Sequence, residues 1–236
     1  MESRVRYELA DGVATITLDD GKVNALGLPM LADINAALDR AAAEAAVVIL
    51  TGNARLFSGG FDLKTFKAGG ADLVTMLTKG GDLGERLLTF PKPVVIAASG
   101  HAMAMAAVLL MCADYRLGFD ADANIQLNET AIGLVLPYFA YPLAEARVPA
   151  HWRGRVLVNA EPLPPAAALA AGFLDETVPA ARLMETARAR AKALAALDQT
   201  AFLETRRRLR EALMAGLAAA RTRDIAEWQA MLAAAR

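Results

Sequence analysis

The sequence predicts an α/β fold in which helices cover a β-sheet. Residues 5–18 alternate apolar and polar side chains on either side of Asp11-Gly12, which is typical of a β-hairpin. Two short apolar runs at 47–52 and 94–98 indicate strands that are buried on both faces. Between the hairpin and the first of these runs, residues 29–43 carry apolar side chains at helical spacing. Strands that alternate with helices in this order predict a sheet with helices packed on it.

The remaining segments extend this pattern and end in a helical region. Residues 68–90 are predicted as short helical pieces separated by Gly69-Gly70 and Gly80-Gly81, forming either a surface connection or a mobile lid. Beyond residue 178 the chain is rich in Ala, Arg, Glu and Leu without strand signals, which predicts about three helices. We therefore expect a core at 1–178 and a C-terminal helical region at 179–236. Further predicted strands are 113–118, 124–127 and 173–178, and further predicted helices are 138–146, 152–158 and 163–172.

Charge and composition argue against several classes of partner. The formal net charge is −1, which gives no reason to expect nucleic acid or an anionic membrane surface as a ligand. The single Cys112 excludes a disulfide within the chain, and with two histidines no metal site is expected. The apolar run that ends at Met111 approaches membrane-span length, but Ser99-Gly100-His101 divides it, which favours a strand entering a buried helix. Because the first residues lack a signal-peptide pattern, we expect a soluble cytoplasmic protein.

Glu129 is the candidate acid/base of the sequence. It lies among apolar residues in the stretch 125–137, and loss of water raises a carboxyl pKa toward the range useful for proton transfer. The alternative is that Glu129 caps a helix that starts at Asn128, because acidic residues are common in the first helical turn. The stretch alone leaves both interpretations open.

Two other segments offer main-chain N–H groups. Gly59-Gly60 follows a buried strand and precedes a predicted helix, so it is either a tight turn or a place where the backbone approaches a ligand. The start of the buried helix at Ala104 to Ala106 is the second source, because a helix N-terminus stabilises negative charge without side chains. Two such donors opposite a carboxylate would allow a carbonyl compound to enolise.

Two more features have simpler interpretations than catalysis. His101 lies at a strand-to-helix turn, where a histidine is more often a packed residue than a base. Residues 206–210 contain four arginines, which would suit a phosphate but more often form a solvated helix face or a subunit contact.

Five segments of the chain belong together as a pattern: 22–26, 57–63, 91–94 with 99–102, 112–116 and 128–134. Taken in order, they resemble the crotonase superfamily, also called the enoyl-CoA hydratase/isomerase family. The resemblance covers nearly the whole chain and implies a spiral of strand-strand-helix turns, a C-terminal helical part used in trimerisation, and an acyl-CoA thioester as ligand. CoA would arrive as part of the substrate, with no separate cofactor, and the assembly would be a homotrimer or a dimer of trimers.

The same resemblance assigns roles to individual residues. The backbone N–H groups of Gly59 and Met105 correspond to the oxyanion hole for the thioester oxygen, and Glu129 to a family glutamate. The residues that correspond to contacts with the CoA nucleotide are Val23, Ala25, Leu26, Ser58, Gly60, Asp62 and Leu63.

The chain departs from the family pattern at two places. Ala104-Met105-Ala106 replaces a glycine run, and Val108 stands where hydratases carry the first of two glutamates. Hydration divides its proton transfers between two carboxylates, whereas moving a double bond from C3 to C2 needs one base. The sequence therefore favours a Δ3,Δ2-enoyl-CoA isomerase. An enoyl-CoA hydratase and a catalytically silent acyl-CoA binder are the alternatives.

Overall fold

The computed structural model describes residues 3–120 and 122–234, so residues 1–2, 121 and 235–236 of the predicted regions lie outside it. The strands are β1 (Val5–Ala10), β2 (Val13–Leu18), β3 (Val47–Thr51), β4 (Leu56–Ser58), β5 (Val94–Ala98), β6 (His101–Met103), β7 (Tyr115–Phe119), β8 (Ile125–Gln126) and β9 (Glu176–Val178). The helices are α1 (Leu28–Glu44), α2 (Leu63–Ala68), α3 (Gly70–Thr89), α4 (Met105–Met111), α5 (Ala140–Arg147), α6 (Ala150–Arg153), α7 (Pro165–Ala170), α8 (Leu183–Ala195), α9 (Gln199–Leu209) and α10 (Glu211–Ala234).

Successive turns of the chain build two sheets side by side. The larger sheet has the strand order β1-β2-β3-β5-β7-β9, antiparallel between β1 and β2 and parallel thereafter. Strands β4, β6 and β8 form a smaller parallel sheet. The pairs β3-β4, β5-β6 and β7-β8 thus each give one strand to each sheet. This arrangement confirms the predicted spiral of strand-strand-helix turns.

The two faces of the larger sheet are covered by different helices. Helices α1, α3 and α4 belong to the large apolar core on one face. On the other face, α8 packs Leu183, Ala187 and Ala191 against Val47, Ile49, Val95 and their neighbours. Every buried side chain of this cluster is at most 5% exposed. The sheet is therefore buried on both faces, as its continuous apolar strands predict.

Helix α3 corrects the prediction that residues 68–90 are broken twice. The break at Gly69-Gly70 is present, and both glycines have positive φ. The break at Gly80-Gly81 is wrong, because α3 continues through both residues. A Cβ on Gly80 would collide with the ring of Phe61, so the glycine allows the helix to approach that ring closely. Gly80 therefore allows close packing and does not end the helix.

The arginines at 206–210 divide into two pairs with different roles. The side chains of Arg206 and Arg210 are only 9% and 8% exposed, and both bind Asp114, with N–O distances of 2.9 and 2.8 Å. Arg207 and Arg208 pair with Glu204 on the exposed side of α9. The buried pair fixes α9 to the start of β7, so these two side chains are structural.

The C-terminal helices lie against the sheet and against earlier helices. Helix α10 contacts α3 and α5, while α8 covers strands of the larger sheet. The boundary between the two regions at residue 178 stays a prediction. Within the described part of the chain, none of the helices combines the length and apolar composition needed to span a bilayer.

Candidate active site

Glu129 opens into an apolar cavity of about 280 Å³ between the core and the C-terminal helix. Its lining includes Met105 and Val108 from α4, so the cavity joins two of the segments that the sequence singled out. The other side chains around it are Phe61, Phe66, Leu73, Leu77, Leu134, Val135, Pro137, Phe139, Trp228 and Met231. A concave apolar site with a few polar groups is the usual form of a small-molecule site.

One oxygen of the Glu129 carboxylate lacks, among the described residues, the hydrogen-bond donors that would stabilise its negative charge. Its Oε2 is buried, and no group among residues 3–120 and 122–234 donates a hydrogen bond to it. Burial raises the pKa of Glu129, and a hydrogen bond to its own backbone N–H opposes this rise only in part. A raised pKa makes the carboxyl group better suited both to accept and to return a proton.

The structure does not support a capping role for Glu129. Only a single 3₁₀ turn, Thr130–Ile132, follows it, so the helix predicted to start at Asn128 is wrong. Gly133, with φ of 77°, ends this turn in a left-handed conformation. The Glu129 side chain makes no capping hydrogen bond to the turn. Its position in the cavity is the remaining explanation for a charged residue at this point.

Val108 shares the cavity with Glu129 but has no group that titrates. It is 2% exposed and lies on the first full turn of α4, where its backbone N–H donates to the Ala104 carbonyl. His101 is not part of the cavity lining. Its Nδ1 accepts the backbone N–H of Asn124 at 3.0 Å, which agrees with the interpretation of a packed residue. Glu129 is therefore the titratable side chain of this cavity.

The loop before α2 corrects one of the predicted oxyanion donors. The N–H of Gly59 donates to the Val23 carbonyl at 2.8 Å, so it is already engaged within the fold. The N–H of Gly60 lies 3.1 Å from the Ser58 hydroxyl oxygen. By contrast, no backbone carbonyl in the described ranges accepts the N–H of Phe61, which lines the cavity. Phe61 replaces Gly59 as the candidate donor from this loop.

Met105 supplies the second candidate donor at the first residue of α4. Its N–H has no carbonyl acceptor within the described backbone, as is usual for the first residues of a helix. The preceding Ala104 has φ of 51° and ψ of −122°, a conformation that is costly for a residue with a Cβ. Strain of this kind persists where the surrounding structure fixes the backbone, and here it directs the start of α4.

Gly60 brings the two donor segments together. A Cβ on Gly60 would lie 2.6 Å from the Met103 carbonyl oxygen and 2.9 Å from the Ala104 Cβ. A side chain at this position would therefore separate the loop from the start of α4. Close contact at Gly60 brings the two segments together, and Phe61, Met105 and Glu129 all line one cavity. Convergence of the two N–H groups on one ligand oxygen stays a prediction.

The residues predicted to contact the CoA nucleotide fall into two groups. Val23 and Leu63 are 53% and 57% exposed, so their side chains are accessible to a ligand. Leu26 and Ser58 are fully buried, and the Ser58 hydroxyl donates to the Asn24 carbonyl at 2.7 Å. The side chains of this second group support the loop rather than meet solvent. Gly60 is likewise buried.

Ala25 and Asp62 also take part in local hydrogen bonding. The Ala25 N–H donates to Asp20 Oδ2 at 3.1 Å. Asp62 accepts the Lys64 N–H at 3.0 Å and thereby caps α2. Both residues are half-buried. Contact between either residue and a nucleotide stays a prediction.

Asn24 organises this region and was not recognised as a structural residue from the sequence. It is fully buried with φ of 50°, and its Nδ2 donates to the Phe57 carbonyl at 3.0 Å. Its Oδ1 accepts the Asp20 N–H at 3.0 Å. These bonds join the segment at 20–26 to the loop that carries Phe61. An asparagine shortly after the turn at Asp19-Asp20-Gly21 was the sequence signal that could have indicated this role.

Trp228 and Met231 in α10 also line the cavity and were not anticipated. They are three residues apart, so they share one face of the helix. An aromatic residue in an otherwise alanine-rich helix was a signal for packing. Nothing in the local pattern indicated which distant segment this face would meet.

A larger cleft of about 570 Å³ lies near α8 and α9, away from Glu129. Its lining includes Arg206 and Arg210, whose charges are already paired with Asp114. Leucines provide much of the rest. This cleft lacks the combination of unengaged amides and an unpaired acid that the smaller cavity has.

Comparison with known proteins agrees with the fold. The family model described as enoyl-CoA hydratase/isomerase matches residues 8–235. A structure described as a probable enoyl-CoA hydratase from Mycobacterium tuberculosis has a TM-score of 0.92 at 39% identity, covering 96% of each chain. Mouse mitochondrial enoyl-CoA delta isomerase 1 is 30% identical over 94% of this chain and 78% of its own.

A third relative matches only in part. It is described as a probable enoyl-CoA hydratase from Rhodobacter capsulatus and is 38% identical over 56% of this chain. The matched stretch spans about half of that relative, 51% of its length. The fold is that of the crotonase class of α/β proteins. Within that class, the chain belongs to the enoyl-CoA hydratase/isomerase family.

Proposed function

We propose that the protein is an acyl-CoA enzyme that isomerises 3-enoyl-CoA to 2-enoyl-CoA. The observation that carries this proposal is the pairing of Glu129 with Val108 in one cavity: a single titratable side chain next to an apolar one. The names of the relatives do not decide the reaction, since both hydratases and isomerases occur among them.

In the proposed reaction, Glu129 removes a proton from C2 of the substrate. The electrons move into the thioester carbonyl, and the resulting enolate oxygen is stabilised by the N–H groups of Phe61 and Met105. Glu129 then returns the proton to C4, which leaves the double bond conjugated with the carbonyl. One carboxylate suffices because it is a base in the first step and an acid in the second.

The environment of Glu129 suits both steps. A fully solvated glutamate would be too weak a base to remove a carbon-bound proton efficiently, whereas burial raises the pKa of this carboxyl group. The apolar lining also keeps bulk water away from the enolate, which strengthens the effect of the two amides.

Hydration is usually catalysed by two carboxylates, whereas the described lining of this cavity contains one. Water has to be oriented and deprotonated while carbon is protonated, and Val108 offers no group for either task. Hydratase activity would need another residue in that role. We therefore keep hydration as the alternative that the names of two relatives favour.

The test is a direct comparison of both reactions with purified protein. Wild type should convert 3-enoyl-CoA to the conjugated 2-enoyl thioester much faster than it hydrates 2-enoyl-CoA. Glu129→Gln should lower kcat for isomerisation by about 10²–10⁴-fold, the usual contribution of a general acid/base. Faster hydration than isomerisation would overturn the proposal, and CoA binding without turnover would support a silent binder.

Assembly and location follow the family expectation. We propose a homotrimer or a dimer of trimers that operates in the cytoplasm. On and beside α9, Leu197 and Leu209 are 50% and 82% exposed, as residues of a subunit interface would be in a single chain. Light scattering of the purified protein tests this expectation, because a monomer at micromolar concentration would contradict it.

A further inference from the structure

Helix α10 provides one wall of the cavity through Trp228 and Met231. The candidate chemical groups come from elsewhere: Glu129 from the segment after β8, and the two amides from residues 61 and 105. An acyl group whose thioester oxygen meets those amides has to run along the remaining apolar lining. That lining includes the side chain of Trp228, which is the largest side chain at the cavity.

A buried carboxylate fixes this wall on one side. Asp224 is 2% exposed and accepts the backbone N–H groups of Tyr138 and Phe139 at 2.7 and 2.9 Å. Phe139 itself lines the cavity. Trp228 follows Asp224 by four residues, one helical turn, so both lie on the same face of α10. The bonds of Asp224 therefore set how far the indole reaches into the cavity.

A guanidinium group fixes the wall on the other side. Arg221, three residues before Asp224, binds Asp82 and also Glu85, the latter at 2.6 Å. Both acidic residues belong to α3, the helix that contributes Leu73 and Leu77 to the cavity. Helix α10 is thus bonded to the segment at Tyr138-Phe139 and to α3, which both border the cavity. These bonds hold Trp228 at a defined position in the cavity wall.

The volume of the cavity limits the length of the acyl group that it can hold. Its volume of about 280 Å³ lies at the lower end of small-molecule sites. A water molecule takes about 30 Å³ in the liquid. A methylene group is of similar size, so the cavity has room for roughly nine such groups, one of which is the thioester carbonyl.

We propose that Trp228, positioned by Asp224, limits the acyl group of the substrate to about eight carbons. This inference rests on the proposed function for the nature of the ligand, and it adds the substrate class: thioesters of short- and medium-chain acids. Trp228 determines specificity by excluding longer chains, and Asp224 is a positioning residue that acts through it.

Binding of saturated acyl-CoAs tests the inference without requiring turnover. Kd is measured by calorimetry for chains of four to sixteen carbons with wild type, Trp228→Ala and Trp228→Phe. Wild type should bind chains beyond about eight carbons at least tenfold more weakly than shorter ones, since one methylene in a filled pocket is worth about 10- to 200-fold. Trp228→Ala should remove this penalty, and Trp228→Phe should shift it by one or two carbons.

Gln229→Ala is the matched control, because Gln229 is exposed on the same helix and does not line the cavity. It should keep the wild-type profile. An identical profile in Trp228→Ala and wild type would overturn the inference. If Trp228→Ala shifts the profile while wild type isomerises no 3-enoyl-CoA, the inference stands and the proposed function has failed. The two failures are thus distinguishable.

Asp224→Asn tests the positioning role, since an amide keeps the shape of the carboxylate but loses one acceptor oxygen. KM for long-chain 3-enoyl-CoA should fall toward that of Trp228→Ala, while kcat for short chains changes less than about threefold. The double variant should add little to Trp228→Ala alone, as expected for residues that act as one unit. A uniform loss of kcat and thermal stability with an unchanged chain-length profile would show that Asp224 is only structural.

Discussion

Val108 and Glu129 line the same apolar cavity, and Glu129 is the one of the two that can exchange a proton. Val108 is almost completely buried, so it contributes shape and excludes water. The Oε2 of Glu129 is buried without a donor in the described part of the chain. The described lining of this cavity therefore contains one titratable side chain rather than two.

The first prediction concerns stability, measured with Glu129→Gln. Because burial raises the folded-state pKa of Glu129, the folded protein holds this proton more tightly than the unfolded chain. Wild type thus loses stability as pH rises from the ordinary glutamate value of 4.5 through the raised folded-state value. Glu129→Gln lacks this loss, so its Tm should exceed that of wild type by a few degrees at pH 7.

The difference in Tm between Glu129→Gln and wild type should depend on pH, and this dependence is an internal control. Below pH 4.5 the carboxyl group is protonated in both states, so the Tm advantage of Glu129→Gln should disappear. Thermal unfolding scans between pH 4 and pH 8 measure it. A variant that is less stable than wild type at pH 7 would show that the carboxylate is well satisfied in the fold.

The second prediction is the pH profile of the isomerase reaction. Glu129 has to be ionised to remove the C2 proton, so kcat/KM should fall with decreasing pH around a pKa above 4.5. The slope of log kcat/KM should approach one, for a single ionisation. A second group with opposite proton requirement would add a decline at higher pH. Such a bell-shaped profile would point to two acid/base residues and against the account.

The third prediction is that Gly80→Ala impairs catalysis although Gly80 itself does not line the cavity. The new methyl group would displace the ring of Phe61, and with it the N–H proposed to bind the thioester oxygen. Loss of one oxyanion donor costs about 10²–10³-fold in kcat, so a misplaced donor should cost about tenfold or more. The measurement is kcat for 3-enoyl-CoA, with circular dichroism to confirm that the fold is retained.

Gly154→Ala is the control for this substitution. A Cβ on Gly154 meets nothing within 4 Å, and its φ is −60°. It should leave kcat unchanged and leave stability equal or slightly higher. Equal activity of Gly80→Ala and Gly154→Ala would mean that the position of Phe61 is not important for the reaction.

The fourth prediction concerns Ala104, which precedes Met105 with a strained backbone. Its positive φ costs about 1–3 kcal/mol, whereas glycine costs about 0.4–1 kcal/mol through the unfolded chain. Ala104→Gly should therefore stabilise the protein by about 1 kcal/mol and keep kcat within a few-fold. Urea unfolding measures the first effect. A loss of stability would show that the Ala104 methyl group contributes more by packing than the strain costs.

The sequence was most informative where chemistry and burial appear together in a short stretch. Glu129 among apolar neighbours could be predicted as an acid/base candidate because desolvation follows from local composition. The alternation of strands with helices was predictable from periodicity, and the spiral of strand-strand-helix turns followed from the resemblance to the family. These features depend on residues close together in the chain.

Features that depend on distant contacts could not be predicted in this way. The resemblance to the family assigned Gly59 as a donor, but its N–H donates to the carbonyl of Val23, more than thirty residues earlier. Gly80 resembled a helix break because the sequence does not show the ring of Phe61 beside it. The contribution of Trp228 to the cavity likewise depends on how α10 packs against α3 and α5.

The central claim, that one carboxylate moves a proton from C2 to C4, is tested most directly by isotope transfer. Deuterium is placed at C2 of 3-enoyl-CoA, the reaction is run for a single turnover in ordinary water, and the 2-enoyl product is analysed by mass spectrometry. Because Glu129 Oε2 is buried, part of the label should appear at C4 before it exchanges with solvent. A C4 hydrogen derived entirely from water, with no label transferred, would contradict the account and indicate a separate acid.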